Sequence, residues 1–176
     1  MNHRVSQSAR IWSRRQCINI ALGFFFALPL MHDSDASAAS LSRSVSVDAT
    51  PAQVWSVVGP FCAIKDWHPA IGTCSLNGVN PLTRTLVTKD GRTTFVEPQV
   101  ARNEHERFYS YTFKSSPFPV THYIGTIWVV SNTDGTSTVL WTGTYTPLEG
   151  KDAEADAAFA GVYDSGLAAL KARFAH

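Results

Sequence analysis

Arg84 and Glu97 are the two residues of this sequence whose types and spacing could do chemistry together. Between them lies Asp90-Gly91, a dipeptide typical of a two-residue hairpin turn. Counting back from that turn places Arg84 directly opposite Glu97, and opposed residues share one face of a hairpin. An arginine beside a carboxylate can anchor the polar end of a ligand, or it can hold a carboxylate that moves a proton.

The face that carries this pair decides between a buried site and a surface salt bridge. The same face holds Leu82, Leu86 and Phe95, whereas the opposite face holds smaller threonine and valine side chains. We therefore expect the larger apolar groups, together with Arg84 and Glu97, to point inward. Because burying either charge alone would be prohibitive, the pair must then be well hydrogen-bonded or hydrated. The alternative is a cross-strand salt bridge in water, worth about 0–1 kcal/mol, which a register slip of one residue would produce.

Aromatic side chains recur at the two-residue spacing of strands and could form the apolar wall of a pocket. One predicted strand face carries Arg107, Tyr109, Tyr111 and Phe113, and a later one carries Val139, Trp141, Gly143 and Tyr145. Aromatic residues at this spacing most often form plain core. For the strand between them, residues 121–130, the sequence leaves open which side chains face inward. A two-residue turn at Asp134-Gly135 pairs Trp128 with Trp141, whereas one extra loop residue turns Tyr123 inward.

Metal, nucleotide and nucleophilic chemistry have no support in the sequence. The histidines after residue 38 are His68, His105, His122 and His176, and none has a companion at metal-ligand spacing, so we expect no metal and no cofactor. We interpret His68 as a solvent-exposed loop histidine, with a place at a pocket mouth as the alternative. The chain has no G-x-S-x-G elbow, P-loop or G-x-G-x-x-G motif.

The elements that must position these residues follow in the order strand, two short helices, six strands and one long helix. The predicted strand is 41–47, the two short helices are 51–58 (with Thr50 as N-cap) and 61–68, the six strands lie within 71–146, and the long amphipathic helix is 152–174. The apolar stripe of the long helix includes Phe159 and Tyr163. These elements predict an α+β architecture in which a curved antiparallel sheet and a terminal helix can enclose a space.

Residues 1–38 carry the pattern of a secretory signal peptide, so the domain itself is expected at 39–176. Residues 1–17 contain four arginines and no acidic residue, and an apolar run follows at 18–31. Small residues after that run allow cleavage after Ala38. Because the run is too short to span a bilayer, we expect a periplasmic or secreted protein with no stable membrane insertion after cleavage. Ser13-Arg14-Arg15 resembles a twin-arginine export signal, and Sec export is the alternative.

Composition and cysteine content limit the class of protein further. The chain has 176 residues, a formal net charge of +1 and 16% charged residues. The low fraction of charged residues argues against disorder and a coiled coil. The near-zero net charge gives no indication of a basic surface that would bind nucleic acid. We expect a monomer or a weak dimer. Cys62 and Cys74 could form a disulfide in an oxidising compartment or remain two buried thiols.

The order of elements and several short motifs resemble the START/Bet v 1-like (SRPBCC) superfamily, in its polyketide cyclase/dehydrase-like branch. The matching motifs are Ala52-Gln53-Val54-Trp55, Trp67-His68-Pro69, Arg84-Thr85-Leu86 with Asp90-Gly91, Glu97, Tyr109-Ser110-Tyr111, Pro119-Val120 before Tyr123, and Val139-Leu140-Trp141. The resemblance implies a helix-grip fold of about seven strands with a hydrophobic cavity, and it favours Tyr123 facing inward. In the plant synthases of this superfamily an arginine and a glutamate at similar positions transfer protons.

Two functions follow as hypotheses. The first is an exported binding or carrier protein for a small hydrophobic or amphipathic molecule. The residues expected to hold that ligand are Trp67, Arg84, Phe95, Glu97, Tyr109, Tyr111, Tyr123, Trp141, Phe159 and Tyr163. The second is a cyclase, dehydratase or isomerase that uses Glu97 as general base beside Arg84, although a nearby cation lowers the pKa of a carboxylate.

Overall fold

The computed structural model describes residues 37–175, which form an α+β fold with one seven-stranded antiparallel sheet. In chain order the elements are β1 (Ala39–Val47), α1 (Pro51–Val58), α2 (Ile64–Trp67), β2 (Ile71–Leu76), β3 (Thr83–Thr88), β4 (Thr94–Asn103), β5 (Phe108–Thr112), β6 (Val120–Ser131), β7 (Ser137–Pro147) and α3 (Asp152–Arg173). The strand order across the sheet is β1-β7-β6-β5-β4-β3-β2. The predicted fold class, with its terminal helix and two short helices, is confirmed.

Local sequence explains where α1 begins. The Thr50 side chain accepts a hydrogen bond from the backbone N–H of Gln53, whose side chain accepts one from the Thr50 N–H. This reciprocal arrangement satisfies two backbone donors that a helix start otherwise leaves unpaired. Pro51 occupies the first turn, where its missing N–H costs nothing.

The β3–β4 hairpin has the register that its turn predicts. Arg84 pairs with Glu97 and Leu86 pairs with Phe95, and all four residues are buried. Gly91 in the turn has φ of +71°, a conformation that glycine adopts without strain. The inward alternative for the charged pair is therefore the one that the fold adopts.

The β6–β7 hairpin has the longer of the two loops that the sequence left open. Asn132 N–H donates to the Thr136 carbonyl, so the loop holds one residue more than a two-residue turn. In this register Ile127 pairs with Trp141, and Tyr123 is buried on the inner face. Trp128 lies on the outer face of the sheet and is 40% exposed.

The long helix α3 packs its apolar stripe onto the core. Its buried residues are Ala155, Phe159, Tyr163, Gly166, Leu167 and Leu170. They lie on one face of the helix, as the spacing of three and four predicts. This face closes the space over the inner side of the sheet.

A disulfide joins Cys62, in the connection between the two short helices, to Cys74 in β2, with the Cα atoms 5.5 Å apart. Of the two states that the sequence left open, the structure has the bonded one. The predicted signal peptide lies outside the described residues except for its last two positions. Within residues 37–175, none of the helices is long and apolar enough to cross a membrane.

Candidate ligand-binding cavity

The inner face of the sheet, α2 and α3 together enclose a cavity of about 230 Å³. This exceeds the ~150 Å³ of an apolar cavity that binds benzene and is smaller than the ~300–1,000 Å³ of most drug-sized pockets. Its wall is mainly aromatic and aliphatic. The lining residues are Ile64, His68, Ala70, Ile71, Arg84, Leu86, Thr88, Thr93, Phe95, Glu97, Tyr111, Phe113, Phe118, Tyr123, Trp141, Phe159, Val162 and Tyr163.

Eight of the residues predicted to hold a ligand line this cavity, namely Arg84, Phe95, Glu97, Tyr111, Tyr123, Trp141, Phe159 and Tyr163. The structure thus brings them together, and their contact with a ligand stays a prediction. Trp67 and Tyr109 do not line the cavity. The Trp67 ring packs 5.8 Å from that of Trp141, and the Tyr109 ring packs 5.4 Å from that of Phe61. Neighbouring rings cover both, so they belong to the surrounding core.

His68 corrects a prediction, because it is buried at 2% exposure and lines the cavity. Its Nδ1 accepts a hydrogen bond from the Ala70 N–H at 3.2 Å, so Nε2 carries the proton and donates to the Val162 carbonyl at 3.0 Å. Burial lowers the pKa of His68 below its ordinary value, partly opposed by the bond to Val162. A Cβ at Gly166 would lie 2.7 Å from the imidazole, so this glycine leaves room for the histidine against α3.

The Arg84–Glu97 ion pair forms the polar floor of the cavity. Arg84 Nε donates to Glu97 Oε2 at 2.6 Å, and Arg84 Nη1 donates to the Phe61 carbonyl at 2.7 Å. The guanidinium carbon lies 4.3 Å from the ring centre of Phe61 and 4.7 Å from that of Tyr111. Arg84 Nη2 and Tyr109 Oη are buried without a well-formed hydrogen bond.

The electrostatics of the pair keep Arg84 charged. Burial lowers the pKa of Arg84, but attraction by Glu97 outweighs it, and the pKa lies above its ordinary value. Burial raises the pKa of Glu97, and the nearby guanidinium opposes that rise. The site therefore holds a permanent cation beside a carboxyl group that takes up a proton more readily than a free glutamate does.

A second polar feature is a cluster of tyrosine hydroxyls. Tyr123 Oη lies 3.2 Å from Tyr111 Oη and 2.8 Å from Tyr163 Oη, and Trp141 Nε1 donates to Tyr111 Oη at 3.0 Å. Burial raises the pKa of all three phenols, so the hydroxyls stay protonated.

Two paired glycines make room for these hydroxyls. Gly125 in β6 pairs with Gly143 in β7. A Cβ would lie 2.2 Å from Tyr123 Oη at Gly125 and 2.4 Å from Tyr163 Oη at Gly143. The strand pattern of the sequence placed Gly143 on the same strand face as Trp141. It did not predict that a tyrosine hydroxyl occupies the space where a side chain at this position would lie.

This arrangement can bind a compact apolar molecule and offer hydrogen bonds to a polar group on it. Among residues 37–175, no group of histidine, cysteine and acidic side chains could hold a metal ion.

Comparisons with known proteins place these features in context. A family model described as polyketide cyclase / dehydrase and lipid transport matches residues 38–175. The protein XoxI from Bacillus cereus is 39% identical over 77% of this chain and 95% of its own, with a TM-score of 0.73. An uncharacterised protein from Bacillus thuringiensis is 37% identical over 77% of this chain and 98% of its own, with a TM-score of 0.72.

A more distant structure shares the fold alone. The di-domain ARO/CYC BexL from the BE-7585A biosynthetic pathway is 20% identical over 76% of this chain and 45% of its own, with a TM-score of 0.67. None of the curated proteins matches the chain.

Proposed function

The chain belongs to the polyketide cyclase/dehydrase and lipid transport family, and from that premise we propose that it is an exported carrier for a small hydrophobic or amphipathic molecule. The observation that carries the proposal is the aromatic-walled cavity, whose polar groups are confined to the Arg84–Glu97 pair and a few hydrogen-bonding side chains. Such a wall favours an apolar body, and the polar groups fix its orientation.

The size of the cavity limits the ligand to a compact molecule of one or two rings. Burying such a body contributes about 25 cal/mol for each Å² of apolar surface removed from water. A long acyl chain or a large polycyclic product would require the wall to move. The proposed cargo is therefore a small molecule rather than a membrane lipid.

Export is the second part of the proposal. The basic start and apolar run of residues 1–38 support it, and so does the Cys62–Cys74 disulfide, because structural disulfides persist mainly in oxidising compartments. The test is to express the full chain in a bacterium and sequence the N-terminus of the periplasmic product. We expect a chain that begins at Ala39. Retention of the full-length chain in the cytoplasm would contradict export.

Binding is tested by calorimetric titration with ethylbenzene, an apolar probe of suitable size, and by mass spectrometry of the native protein after gentle extraction. Val162 lines the cavity, so Val162→Trp should fill the space and abolish binding. Val79 is 62% exposed, and Val79→Trp is the matched control that should bind normally. Equal binding by both variants would show that the probe sits elsewhere, and no binding by the wild type would contradict the proposed function.

One observation favours a second candidate, a cyclase, dehydratase or isomerase. Burial raises the pKa of Glu97, as a general base working near neutral pH requires, although Arg84 opposes that rise. Under this alternative Glu97→Gln should abolish turnover of a bound substrate and spare its binding. For a carrier, the same substitution should only change the affinity.

A further inference from the structure

The directions of the hydrogen bonds in the tyrosine cluster specify what it lacks. The geometry makes Tyr123 the donor to Tyr111. Since Tyr123 has one proton, the shorter contact to Tyr163 must use the proton of Tyr163. The hydrogen bonds therefore form a chain with one direction, in which Tyr163 donates to Tyr123 and Tyr123 donates to Tyr111. The Thr142 carbonyl, 3.3 Å from Tyr163 Oη, is a longer and competing acceptor at the start of this chain.

Tyr111 is the last hydroxyl in this series of hydrogen bonds, and its own O–H is an unused donor. Its oxygen already accepts hydrogen bonds from Tyr123 and from Trp141 Nε1, which leaves its own proton as its only remaining hydrogen-bonding capacity. No acceptor for that proton is found among residues 37–175, although Tyr111 is 98% buried and lines the cavity. A buried donor without an acceptor costs free energy that a suitable ligand would recover.

The charges at the site indicate an uncharged acceptor. Arg84 is the one arginine or lysine among the described residues that line the cavity, and Glu97 already neutralises it. A carboxylate ligand would bring a second negative charge beside Glu97 without a new cation. A neutral carbonyl oxygen accepts the same hydrogen bond without that repulsion.

We propose that the cavity selects a small ketone or aldehyde whose carbonyl oxygen accepts a hydrogen bond from Tyr111 at the end of the tyrosine chain. This inference rests on the proposed binding function and names the ligand class. Donation along the chain polarises each hydroxyl in turn and strengthens the last bond. Gly125 and Gly143 are part of the same subsite, because the absence of a Cβ at each leaves room for the Tyr123 and Tyr163 hydroxyls.

The test compares acetophenone with ethylbenzene, which has a similar shape and no acceptor. We expect Tyr111→Phe to weaken acetophenone binding by about three- to tenfold, the usual effect of one net hydrogen bond, and to leave ethylbenzene unaffected. The matched control is Tyr145→Phe, which removes a buried hydroxyl that bonds Asp156 and does not line the cavity. Its ratio of the two affinities should equal that of the wild type.

A spectroscopic measurement on the wild type keeps the inference testable if Tyr111→Phe does not fold. The carbonyl stretching frequency of bound acetophenone should lie below its value in hexane, and the shift should shrink in a folded Tyr111→Phe protein. An unshifted band in the wild type would overturn the inference.

The outcomes separate this inference from the function on which it rests. If neither probe binds, the binding function fails and the inference fails with it. If both bind and Tyr111→Phe changes the two affinities equally, the Tyr111 hydroxyl donates no hydrogen bond to the carbonyl, so the inference is overturned and the binding function stands. Benzoate that binds as tightly as acetophenone would also overturn it, because the proposed site is selective for an uncharged acceptor.

Discussion

Arg84 is a charged side chain that the fold has removed completely from water. Glu97 neutralises it, the Phe61 carbonyl accepts from it, and the rings of Phe61 and Tyr111 lie against the guanidinium. A buried pair of this kind often contributes less stability than apolar residues of the same volume, because both charges lose their hydration. Stability alone therefore does not explain its presence in a cavity wall.

Removing one partner of the pair should be costly. We expect Arg84→Met to lower the free energy of unfolding by about 3–5 kcal/mol, because Glu97 would be left buried without a cation. The double variant Arg84→Met/Glu97→Leu should be more stable than Arg84→Met alone. Urea unfolding measures both.

The control for this prediction is the exposed ion pair between Arg43 and Asp164, in which Arg43 Nε lies 3.0 Å from Asp164 Oδ1. Arg43→Met should change the free energy of unfolding by less than about 1 kcal/mol. A double variant no more stable than Arg84→Met would mean that lost packing, rather than the unpaired charge, explains the effect.

His68 should make stability depend on pH. In the unfolded chain its pKa is near the ordinary 6.5, whereas burial, together with Arg84 and Lys89, lowers it in the folded protein. Below pH 6.5, and down to the folded pKa, the unfolded state binds more protons, so stability falls as the pH falls. The slope from one such group is at most about 1.4 kcal/mol per pH unit. Urea unfolding measures the free energy of unfolding at several pH values from pH 7 to pH 5. This free energy should vary less with pH in His68→Gln than in the wild type, and identical slopes for the two proteins would exclude this role.

At the scale of elements, the paired glycines of β6 and β7 decide whether the tyrosine cluster fits. Gly125→Ala and Gly143→Ala should each lower the free energy of unfolding by about 1–3 kcal/mol, because the new methyl group meets a tyrosine hydroxyl. Gly161 in α3 has open space around its Cβ position, so Gly161→Ala should stabilise the helix by about 0.5–1 kcal/mol. Thermal unfolding compares the three, and a neutral Gly125→Ala would show that the hydroxyls move freely.

Elements whose register depends on local sequence could be predicted. The Asp90-Gly91 turn determines the pairing in β3–β4, and the capping residues Thr50 and Pro51 determine where α1 begins. The facing of β6 could not be predicted from its own residues, because a single loop residue near Gly135 decides it. The family resemblance favoured the alternative that the structure has.

Burial that depends on distant elements was the part that sequence reasoning missed. His68 follows a short helix and reads as a loop residue, and its burial depends on Gly166, nearly a hundred positions later in the chain. Tyr109 and Tyr111 share a strand face, but only Tyr111 reaches the cavity, because Phe61 covers Tyr109. No spacing within one strand could distinguish the two.

At the scale of the whole molecule, the Cys62–Cys74 disulfide fastens the helical segment to the edge strand β2, at the end of the sheet farthest from β1. Ile64 in α2 and Ile71 in β2, both within the loop that this disulfide closes, line the cavity. The bond therefore holds one wall of the cavity against the sheet.

Reduction should lower the free energy of unfolding by about 2–4 kcal/mol, because it releases a constraint on the unfolded chain. Urea unfolding with and without a reductant measures this, and the Cys62→Ala/Cys74→Ala protein should respond to the reductant far less. A wild type insensitive to reductant would mean that the bond adds no stability.

The position of Trp141 has a practical consequence. Its indole lines the cavity, donates to Tyr111 and stacks 4.5 Å from the ring of Tyr163. We expect a molecule that enters the cavity to change the polarity around this indole, and indole fluorescence responds to such a change. Trp141 should thus act as a built-in optical reporter of unlabelled compounds, measured above the emission of the chain's four other tryptophans.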